Sequence, residues 1–365
     1  MSLSLLTAQY FQQLDPHLLT FPEDKHLLHP TTQETIYNTL FSESHAANDH
    51  HQPLPPPAYR TRVLKRLITK LESLLSNPEE DEINESLLEE YSTLLTLPRP
   101  SSIEQAQQLT YITYTAPPEE DDDDHDSETN NKRRTILTSE SRSAIITAGT
   151  TGHRTWEAAL HLATYLSSTA AGRAHIAGKK VLELGAGTGM VSMFCARYLQ
   201  PEVVVATDRE LGLMRQIRDC AGRNGLVGEG NDGGVFKGWI WEWGRELSRG
   251  SGEDDDDDDD DELEKVGDDE KVEFDVALGA DLIYDIDLVP LLVQTVKSLF
   301  EKYAVKEFLI SATLRNERTF GAFLNACEQS ALKVERVPFE SPAEEHQRGF
   351  FHSTAIPIRT YRITA

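Results

Sequence analysis

The segment 179–191 constrains the fold of this chain more than any other. A short apolar run, Val181 to Leu184, leads into three glycines at alternate positions, and an apolar, helix-like segment follows. This pattern predicts a buried strand, a tight turn and the start of a helix, the opening of a βαβ unit. The glycines, Gly185, Gly187 and Gly189, let the backbone adopt dihedral angles that a Cβ atom forbids and approach a ligand closely.

The spacing of these glycines indicates what kind of ligand they would hold. A dinucleotide-binding turn reads G-x-G-x-x-G, but Met190 stands where that pattern needs its third glycine. The carboxylate of Glu183, two residues before the turn, would repel a pyrophosphate and suits a ligand with cationic groups. The next apolar run ends in Asp208, which is placed to bind two ribose hydroxyls. Together these features predict S-adenosylmethionine as the cofactor, although the glycines alone would also fit a purely structural turn.

The charge of the chain limits its partners. The net charge is −26 over 365 residues, and two acidic runs, Glu119–Asp124 and Asp254–Asp261, supply much of it. Such runs repel themselves and are typical of disordered segments. Because this acidic balance leaves no broad excess of cations to neutralise phosphates, direct nucleic-acid binding is not expected.

The cysteines and apolar segments indicate a compartment. Three cysteines without metal-ligand spacing favour a reduced, cytoplasmic protein over a disulfide scaffold, and no metal site is predicted. Residues 1–14 lack the basic start of a signal peptide, and no apolar run is long enough to cross a bilayer. We therefore expect a cytoplasmic protein without membrane contact, and a monomer.

The chain divides into regions of different composition. Residues 1–114 read as an N-terminal helical domain, and 115–133 as an acidic, disordered linker. From 134 to 365, strands alternate with helices, which predicts an α/β domain with a mainly parallel sheet covered on both faces. Within it, about 248–271 is a disordered Asp-rich insertion. Two late strands without a helix between them predict an antiparallel hairpin at one edge of the sheet.

One helix of the N-terminal domain has two interpretations. Between 62 and 70 it carries apolar residues on one face and four cations on the other. The basic face is either an ordinary solvated face or a contact surface for an acidic partner protein. Its cations are Arg62, Lys65, Arg66 and Lys70.

The residues that end the predicted strands should meet in one crevice, because ligands bind beyond the carboxyl ends of the strands in an open α/β sheet. Besides Glu183 and Asp208, these are Glu242, Trp243 and Asp281. Trp243 offers a flat surface for adenine and Glu242 an acceptor beside it. Three tryptophans lie within five residues here, so each of them is a candidate for the stacking role or for core packing.

A second aromatic candidate, Trp156, follows a turn bounded by glycines at the start of a helix, with Thr155 as the predicted N-cap. Beyond the fourth strand, Asp281 and Tyr284 lie where the group that accepts a methyl should be. A carboxylate and a phenol are suited to receiving an amine and orienting its N–H groups. The alternatives are that Asp281 caps a helix beginning near Ile286 and that Tyr284 only packs at the rim.

These motifs resemble those of the seven-β-strand protein lysine methyltransferases with a D-x-x-Y tetrad, here Asp281 to Tyr284. Within that group they are most similar to the eukaryotic elongation factor 2 lysine methyltransferases. The likeness is carried by three stretches. They are 137–160, which contains Trp156 and the turn bounded by Gly149 and Gly152, then Val181 to Gly185, and Thr313 to Asn316. It covers about 134–365 without the Asp-rich insertion.

The resemblance implies a Rossmann-like, seven-stranded sheet and S-adenosylmethionine-dependent methylation of one lysine of translation elongation factor 2. It implies a lysine channel at Asp281 and Tyr284. Glu157 departs from the family pattern, in which an aspartate is common. The residues implied to line the cofactor site are Trp156, Glu183, Gly185, Asp208, Trp243 and Ala280.

Other functions stay open at this point. The same core can methylate a different protein, a small molecule or RNA, but the asparagine-proline-proline tetrad typical of nucleobase or glutamine substrates is not what 281–284 shows. A non-catalytic cofactor-binding scaffold whose acidic loops recruit basic partners is the alternative outside enzymology. The sequence does not identify the target lysine or the number of methyl groups.

Overall fold

The computed structural model describes residues 3–42, 52–76, 81–98, 101, 108–120, 133–141, 151–227, 234–247 and 272–365. These residues form two compact units, one drawn from Met1–Thr115 and Leu137–Thr147, the other from Ala116–Ile136 and Ala148–Ala365. Three predicted segments lie outside the described residues. They are most of the acidic linker, a short strand expected at Ala144–Ile146, and the Asp-rich insertion.

The first unit is mainly helical. Its helices bury one apolar cluster, in which the ring of Tyr10 contacts those of Phe11, Phe41 and Tyr59. The apolar stripe that the sequence predicts around 63–71 is buried. The unit contains α1 (Leu3–Phe11), α2 (Asp24–Leu27), α3 (Pro30–Leu40), α4 (Pro57–Leu74) and α5 (Glu85–Thr96), and β1 (Thr110–Thr115), which pairs with β2 (Thr135–Glu140).

Three of the four cations on the basic face of α4 have partners within this unit. Lys70 pairs with Asp24 at 2.7 Å, and the guanidinium of Arg66 lies over the ring of Phe21 at 5.6 Å. Arg62 lies over Tyr59, one turn away on the same helix. These contacts favour an ordinary helix face over a docking surface, because the charges already have partners.

The second unit alternates strands and helices, as predicted. Most of its strands are buried along their length, which a sheet covered on both faces requires. Its helices are α6 (Glu157–Ser168), α7 (Ala170–Ala174), α8 (Met190–Tyr198), α9 (Leu211–Arg223), α10 (Val289–Lys302) and α11 (Glu317–Gln329). Its strands are β3 (Lys180–Leu184), β4 (Val203–Asp208), β5 (Phe236–Ile240), β6 (Val276–Ala280), β7 (Glu307–Thr313), β8 (Lys333–Arg336) and β9 (Ile358–Thr364).

These seven strands form one sheet in the order β5-β4-β3-β6-β7-β9-β8. The first five strands in this order are parallel to one another, whereas β9 runs antiparallel to both β7 and β8. The predicted fold class is therefore confirmed: a Rossmann-like α/β sheet of seven strands, mostly parallel, with an antiparallel hairpin at one edge.

Two boundaries differ from the sequence-based expectation. Residues 137–141 group with the helical unit, whereas the sequence placed them in the C-terminal domain. The third strand of the βαβ series, β5, ends at Ile240, so Trp241 to Trp243 lie beyond the strand and not within it. The limits of the helical domain, linker and catalytic domain stay predictions.

Candidate active site

The strand order reverses between β3 and β6, and this reversal positions the site. From β3 the chain continues outward to β4 and β5, whereas β6 continues to β7 on the other side. The loops that follow β3 and β6 touch: a Cβ atom on Gly185 would lie 2.8 Å from Cδ2 of Leu282. In open α/β sheets the ligand crevice forms at such a reversal, beyond the carboxyl ends of the strands.

The glycine turn after β3 uses the backbone freedom of its glycines. Gly185, Gly187 and Gly189 have φ values of 57°, 56° and 72°, in the left-handed region. A Cβ atom on Gly187 would also come within 3.1 Å of the Gly152 carbonyl oxygen. Gly189 is the N-cap of α8, so the first N–H groups of that helix open toward the turn. At these three positions a side chain would collide with Leu282, with the Gly152 carbonyl or with Ile217, so the turn requires glycine.

Asp208, the last residue of β4, is fixed to this turn. Its Oδ2 accepts a hydrogen bond from the Gly187 N–H at 3.1 Å, and its Oδ1 accepts one from the Glu210 N–H at 3.3 Å. Burial raises the pKa of its carboxyl. The structure therefore brings Asp208 beside the glycine turn, where the sequence places it.

Glu183 differs from the expectation that it rims the crevice. It is 2% exposed, and its Oε2 accepts hydrogen bonds from the N–H and the hydroxyl of Ser192 in the first turn of α8. Burial raises the pKa of its carboxyl to about 7. Glu183 lies on β3, and its hydrogen bonds with Ser192 join that strand to α8. A role toward the cofactor stays a prediction.

The tryptophans after β4 separate into two groups. Trp239 and Trp241 are buried in the main apolar cluster, so they are core residues. Trp243 is half-buried, and its Cζ2 would lie 3.7 Å from a Cβ atom on Gly185. Glu242 is exposed and pairs with Arg245 at 2.7 Å. The described contacts thus bring Trp243, and not Glu242, against the glycine turn.

Asp281 follows Ala280, the last residue of β6, and is held firmly. Its φ of 52° is unusual for a residue other than glycine, although aspartate tolerates it better than most. Oδ1 accepts a hydrogen bond from the Thr313 N–H at 2.8 Å, and Oδ2 accepts from the Thr313 hydroxyl at 3.1 Å and from Arg315 at 3.2 Å. The next helix, α10, begins at Val289. Asp281 is therefore not a helix cap.

The last residue of the tetrad, Tyr284, is exposed to solvent. Tyr284 is 59% exposed on the loop between β6 and α10. It packs into no core cluster of the described residues. A phenol in this position is free to contact an incoming side chain.

Trp156 lies at the start of α6. Its Nε1–H donates to the Thr151 carbonyl at 3.1 Å, and the guanidiniums of Arg154 and Arg315 lie 5.0 and 5.2 Å from its ring centre. The predicted N-cap role of Thr155 is wrong: Trp156 occupies that position, and Thr155 Oγ1 lies 2.6 Å from Thr188 Oγ1. The hydroxyl is used to join the segment before α6 to the glycine turn.

Sequence reasoning assigned no role to Arg315, Thr313 or the Thr155–Thr188 pair. Thr313 is the last residue of β7 and Arg315 lies two residues beyond it, in a run that the sequence connects only with the family resemblance. No spacing rule connects that run to Asp281, because the pairing of β6 with β7 brings them together. The contact of Ser192 with Glu183 could not be predicted either, because it depends on how the first turn of α8 packs against β3.

Two other classes of site find no support in the part of the chain that the structure describes. No group of three or more His, Cys, Asp or Glu side chains is arranged to hold a metal ion there. The three cysteines, Cys195, Cys220 and Cys327, are buried and form no disulfide. Across the same residues, no helix is long and apolar enough to span a membrane.

The chain is similar to known methyltransferases. A family model described as "Lysine methyltransferase" matches residues 144–220. Protein-lysine N-methyltransferase EFM3 of Chaetomium thermophilum is 35% identical over 340 residues, covering 93% of this chain and 91% of that protein.

Two further relatives match a shorter part of the chain. EFM3 of Saccharomyces cerevisiae is 30% identical over 245 residues, covering 63% of this chain and 65% of that protein. Protein-lysine N-methyltransferase EEF2KMT of Mus musculus is 24% identical over 216 residues, covering 58% and 60%. The Chaetomium match spans nearly the whole of both chains. The chain belongs to the protein-lysine N-methyltransferase family.

Proposed function

We propose that this enzyme transfers the methyl group of S-adenosylmethionine to a lysine of translation elongation factor 2. The observation that carries the proposal is that the loop bearing Asp281 touches the glycine turn, through Leu282 and Gly185, at the strand-order reversal. The likeness of the sequence to elongation factor 2 lysine methyltransferases and the name of the mouse relative, EEF2KMT, support the choice of substrate. A cytoplasmic location follows from that substrate.

The residues at the glycine turn fit S-adenosylmethionine. Three left-handed glycines keep side chains off the turn, so its backbone N–H groups can approach a ligand closely. We infer that Asp208 accepts from the ribose hydroxyls, because its carboxylate is already aligned with the turn. Trp243 and Trp156 would supply the aromatic surfaces, with Gly185, Gly187, Gly189 and Ala280 as backbone contacts. When bound, this cofactor supplies a methyl group activated by a sulfonium.

Two predicted cofactor residues have weaker support. Glu242 is exposed and paired with Arg245, so we assign it a contact only at the edge of the adenine site. Glu183 would act through α8, because its carboxylate holds Ser192. Both assignments can be tested by cofactor affinity alone.

The substrate amine must be neutral before it can accept a methyl group. A lysine has an ordinary pKa of about 10.4, so removing its proton at pH 7 costs roughly 4.6 kcal/mol. A partly desolvated channel lowers that pKa. An ionised carboxylate has about four lone-pair sites, and Asp281 uses three of them on Thr313 and Arg315. One site is left to accept an N–H of the amine and so direct its lone pair.

In this mechanism the protein acts mainly by positioning. Asp281 orients the amine, and Tyr284 lies at the open end of the loop, where it can contact the stem of the lysine. Holding the two reacting groups in line replaces much of the entropy cost of their encounter. No nucleophilic residue is needed, because the amine attacks the methyl group directly.

The experiment is to identify the methylated protein. The enzyme is incubated with isotope-labelled S-adenosylmethionine and a lysate from cells that lack this activity, and labelled proteins are identified by mass spectrometry. We expect one labelled lysine in elongation factor 2, absent with the Asp281→Asn variant. Label on a different protein would refute the substrate but keep the chemistry, whereas absence of label from purified elongation factor 2 and from the lysate would refute both.

A further inference from the structure

One arginine outside the predicted site touches three parts of it. Arg315 is the second residue after β7. Its Nη1 lies 3.2 Å from Asp281 Oδ2, its Nη2 lies 2.6 Å from Glu157 Oε2, and its guanidinium lies 5.2 Å from the centre of the Trp156 ring. A single side chain therefore joins the tip of β6, the first turn of α6 and the aromatic residue that precedes that helix.

The charges around Arg315 balance. Glu157 also faces Arg154 at 3.6 Å, so two carboxylates, Glu157 and Asp281, are matched by two guanidiniums. His352, from the segment between β8 and β9, is influenced by Glu157, but burial lowers its pKa. It adds no positive charge to this cluster at neutral pH.

This balance matters because of what a bare carboxylate would do to the substrate. A nearby opposite charge favours the charged form of a titrating group. An unpaired Asp281 would therefore stabilise the lysine ammonium, which cannot react. A guanidinium beside the same carboxylate offsets that effect while leaving an oxygen lone pair to accept from the amine.

The geometry also favours arginine over any other cation. The planar guanidinium donates in two directions at once, here to Asp281 and to Glu157, while its face lies over an indole. A lysine at this position would keep the charge, but its compact ammonium cannot reproduce both hydrogen bonds and the stacking together.

We propose that Arg315 is a positioning residue for methyl transfer, which fixes the Asp281 carboxylate and places a positive charge beside the substrate amine so that the neutral amine is favoured. This inference rests on the role proposed above for Asp281. It assigns a function to a side chain that lies on a different strand loop from the tetrad.

The test separates the charge of Arg315 from its hydrogen bonds. Arg315→Met removes both, and Arg315→Lys keeps only the charge. We measure kcat from pH 6.5 to 9.5 with saturating S-adenosylmethionine and the protein substrate that the labelling experiment identifies. For Arg315→Met we expect kcat at pH 7.5 to fall about 30-fold. The midpoint of the rise of kcat with pH should move up by about one pH unit, because the lysine ammonium is no longer disfavoured.

For Arg315→Lys the expected profile keeps the wild-type midpoint, and only its plateau falls, by about tenfold, because the carboxylate is held less firmly. Arg318→Met is the matched control. It removes the same charge three residues away, where the side chain is exposed, and should leave both kcat and its pH dependence unchanged. Urea unfolding and cofactor calorimetry on each variant show whether the fold is intact.

Two results would overturn the inference: wild-type kcat in Arg315→Met, or an equal loss at every pH in both variants, which a merely structural role predicts. If Arg315→Met does not fold, Arg315→Gln takes its place with the same expected profile. Asp281→Asn distinguishes this failure from that of the proposed function. An inactive Asp281→Asn beside a normal Arg315→Met refutes the role of Arg315 alone, whereas an active Asp281→Asn refutes the role of Asp281.

Discussion

The carboxylate of Asp208 accepts a hydrogen bond from the N–H of Gly187 at 3.1 Å, although 21 positions separate the two residues. One end of the interaction is the tip of β4, and the other is the middle of the turn after β3. Because the two strands are parallel neighbours, their carboxyl ends coincide, and the acid is presented next to the turn.

Asp208→Ala should weaken the binding of S-adenosylmethionine by tenfold or more, because it removes a charge-assisted acceptor for the ribose, worth about 1.5–3 kcal/mol. Isothermal calorimetry measures the affinity. Asp219→Ala is the control, since this exposed acid lies on α9 and pairs with Arg223. Unchanged affinity in Asp208→Ala would remove this residue from the ribose site.

Asp281→Ala should abolish methyl transfer and leave cofactor affinity within about threefold, because the carboxylate acts on the amine and not on the cofactor. Asp281→Asn is the gentler variant, since asparagine also tolerates a positive φ. Asp287→Ala, an exposed acid on the same loop, should retain full activity. Activity near that of the wild type in both Asp281 variants would contradict the amine-orienting role.

Glu183→Gln should become more stable than the wild type as the pH rises. Burial raises the folded pKa of Glu183 from 4.5 to about 7, so the folded state binds the proton more tightly than the unfolded chain. Its stabilising contribution is complete below pH 4.5 and is lost as the pH rises through 7. The glutamine side chain has no proton to lose.

Urea titrations at pH 5 and pH 8 check this prediction. The variant should gain roughly 3 kcal/mol in free energy of unfolding relative to the wild type between these pH values. Glu202→Gln, an exposed acid near Lys180, should show little such change. Parallel behaviour of Glu183→Gln and the wild type would mean that the buried carboxyl ionises at its ordinary pKa.

Thr155→Val and Thr188→Val should each destabilise the protein by about 1–2 kcal/mol, because each removes the 2.6 Å hydrogen bond between these two buried hydroxyls. The double variant should cost less than the sum of the two, which a double-mutant cycle in urea measures. Strict additivity would show that the two hydroxyls contribute independently. Cofactor affinity should also fall, because Thr188 lies within the glycine turn.

Several parts of the site could be predicted from the sequence because they depend on local patterns. The alternation of Gly185, Gly187 and Gly189 after an apolar run fixes the turn, since no other residue accepts those φ values so readily. The position of Asp208 and Asp281 after apolar runs places both at strand ends. The antiparallel pairing at the edge follows from two late strands with no helix pattern between them.

Other parts could not be predicted, because the same local pattern fits several environments. Trp239, Trp241 and Trp243 are equivalent in sequence, and only packing buries the first two while the third borders the turn. Glu183 reads as a rim carboxylate, but the approach of α8 covers it. Thr155 has the spacing of an N-cap, yet its hydroxyl bonds to the turn, because that partner comes from 33 residues away.

By itself, the sequence determined the kind of fold and the ends of the strands where the chemistry would lie, because strand periodicity, turn residues and glycine conformations are short-range properties of the chain. Only the tertiary structure decided which side chains hold Asp281, since the pairing of β6 with β7 brings Arg315 to it. The same arginine bonds to Glu157, from which it is separated by 158 positions in the chain. Contacts between strands and helices distant in sequence depend on packing, and no local pattern in this chain encodes them.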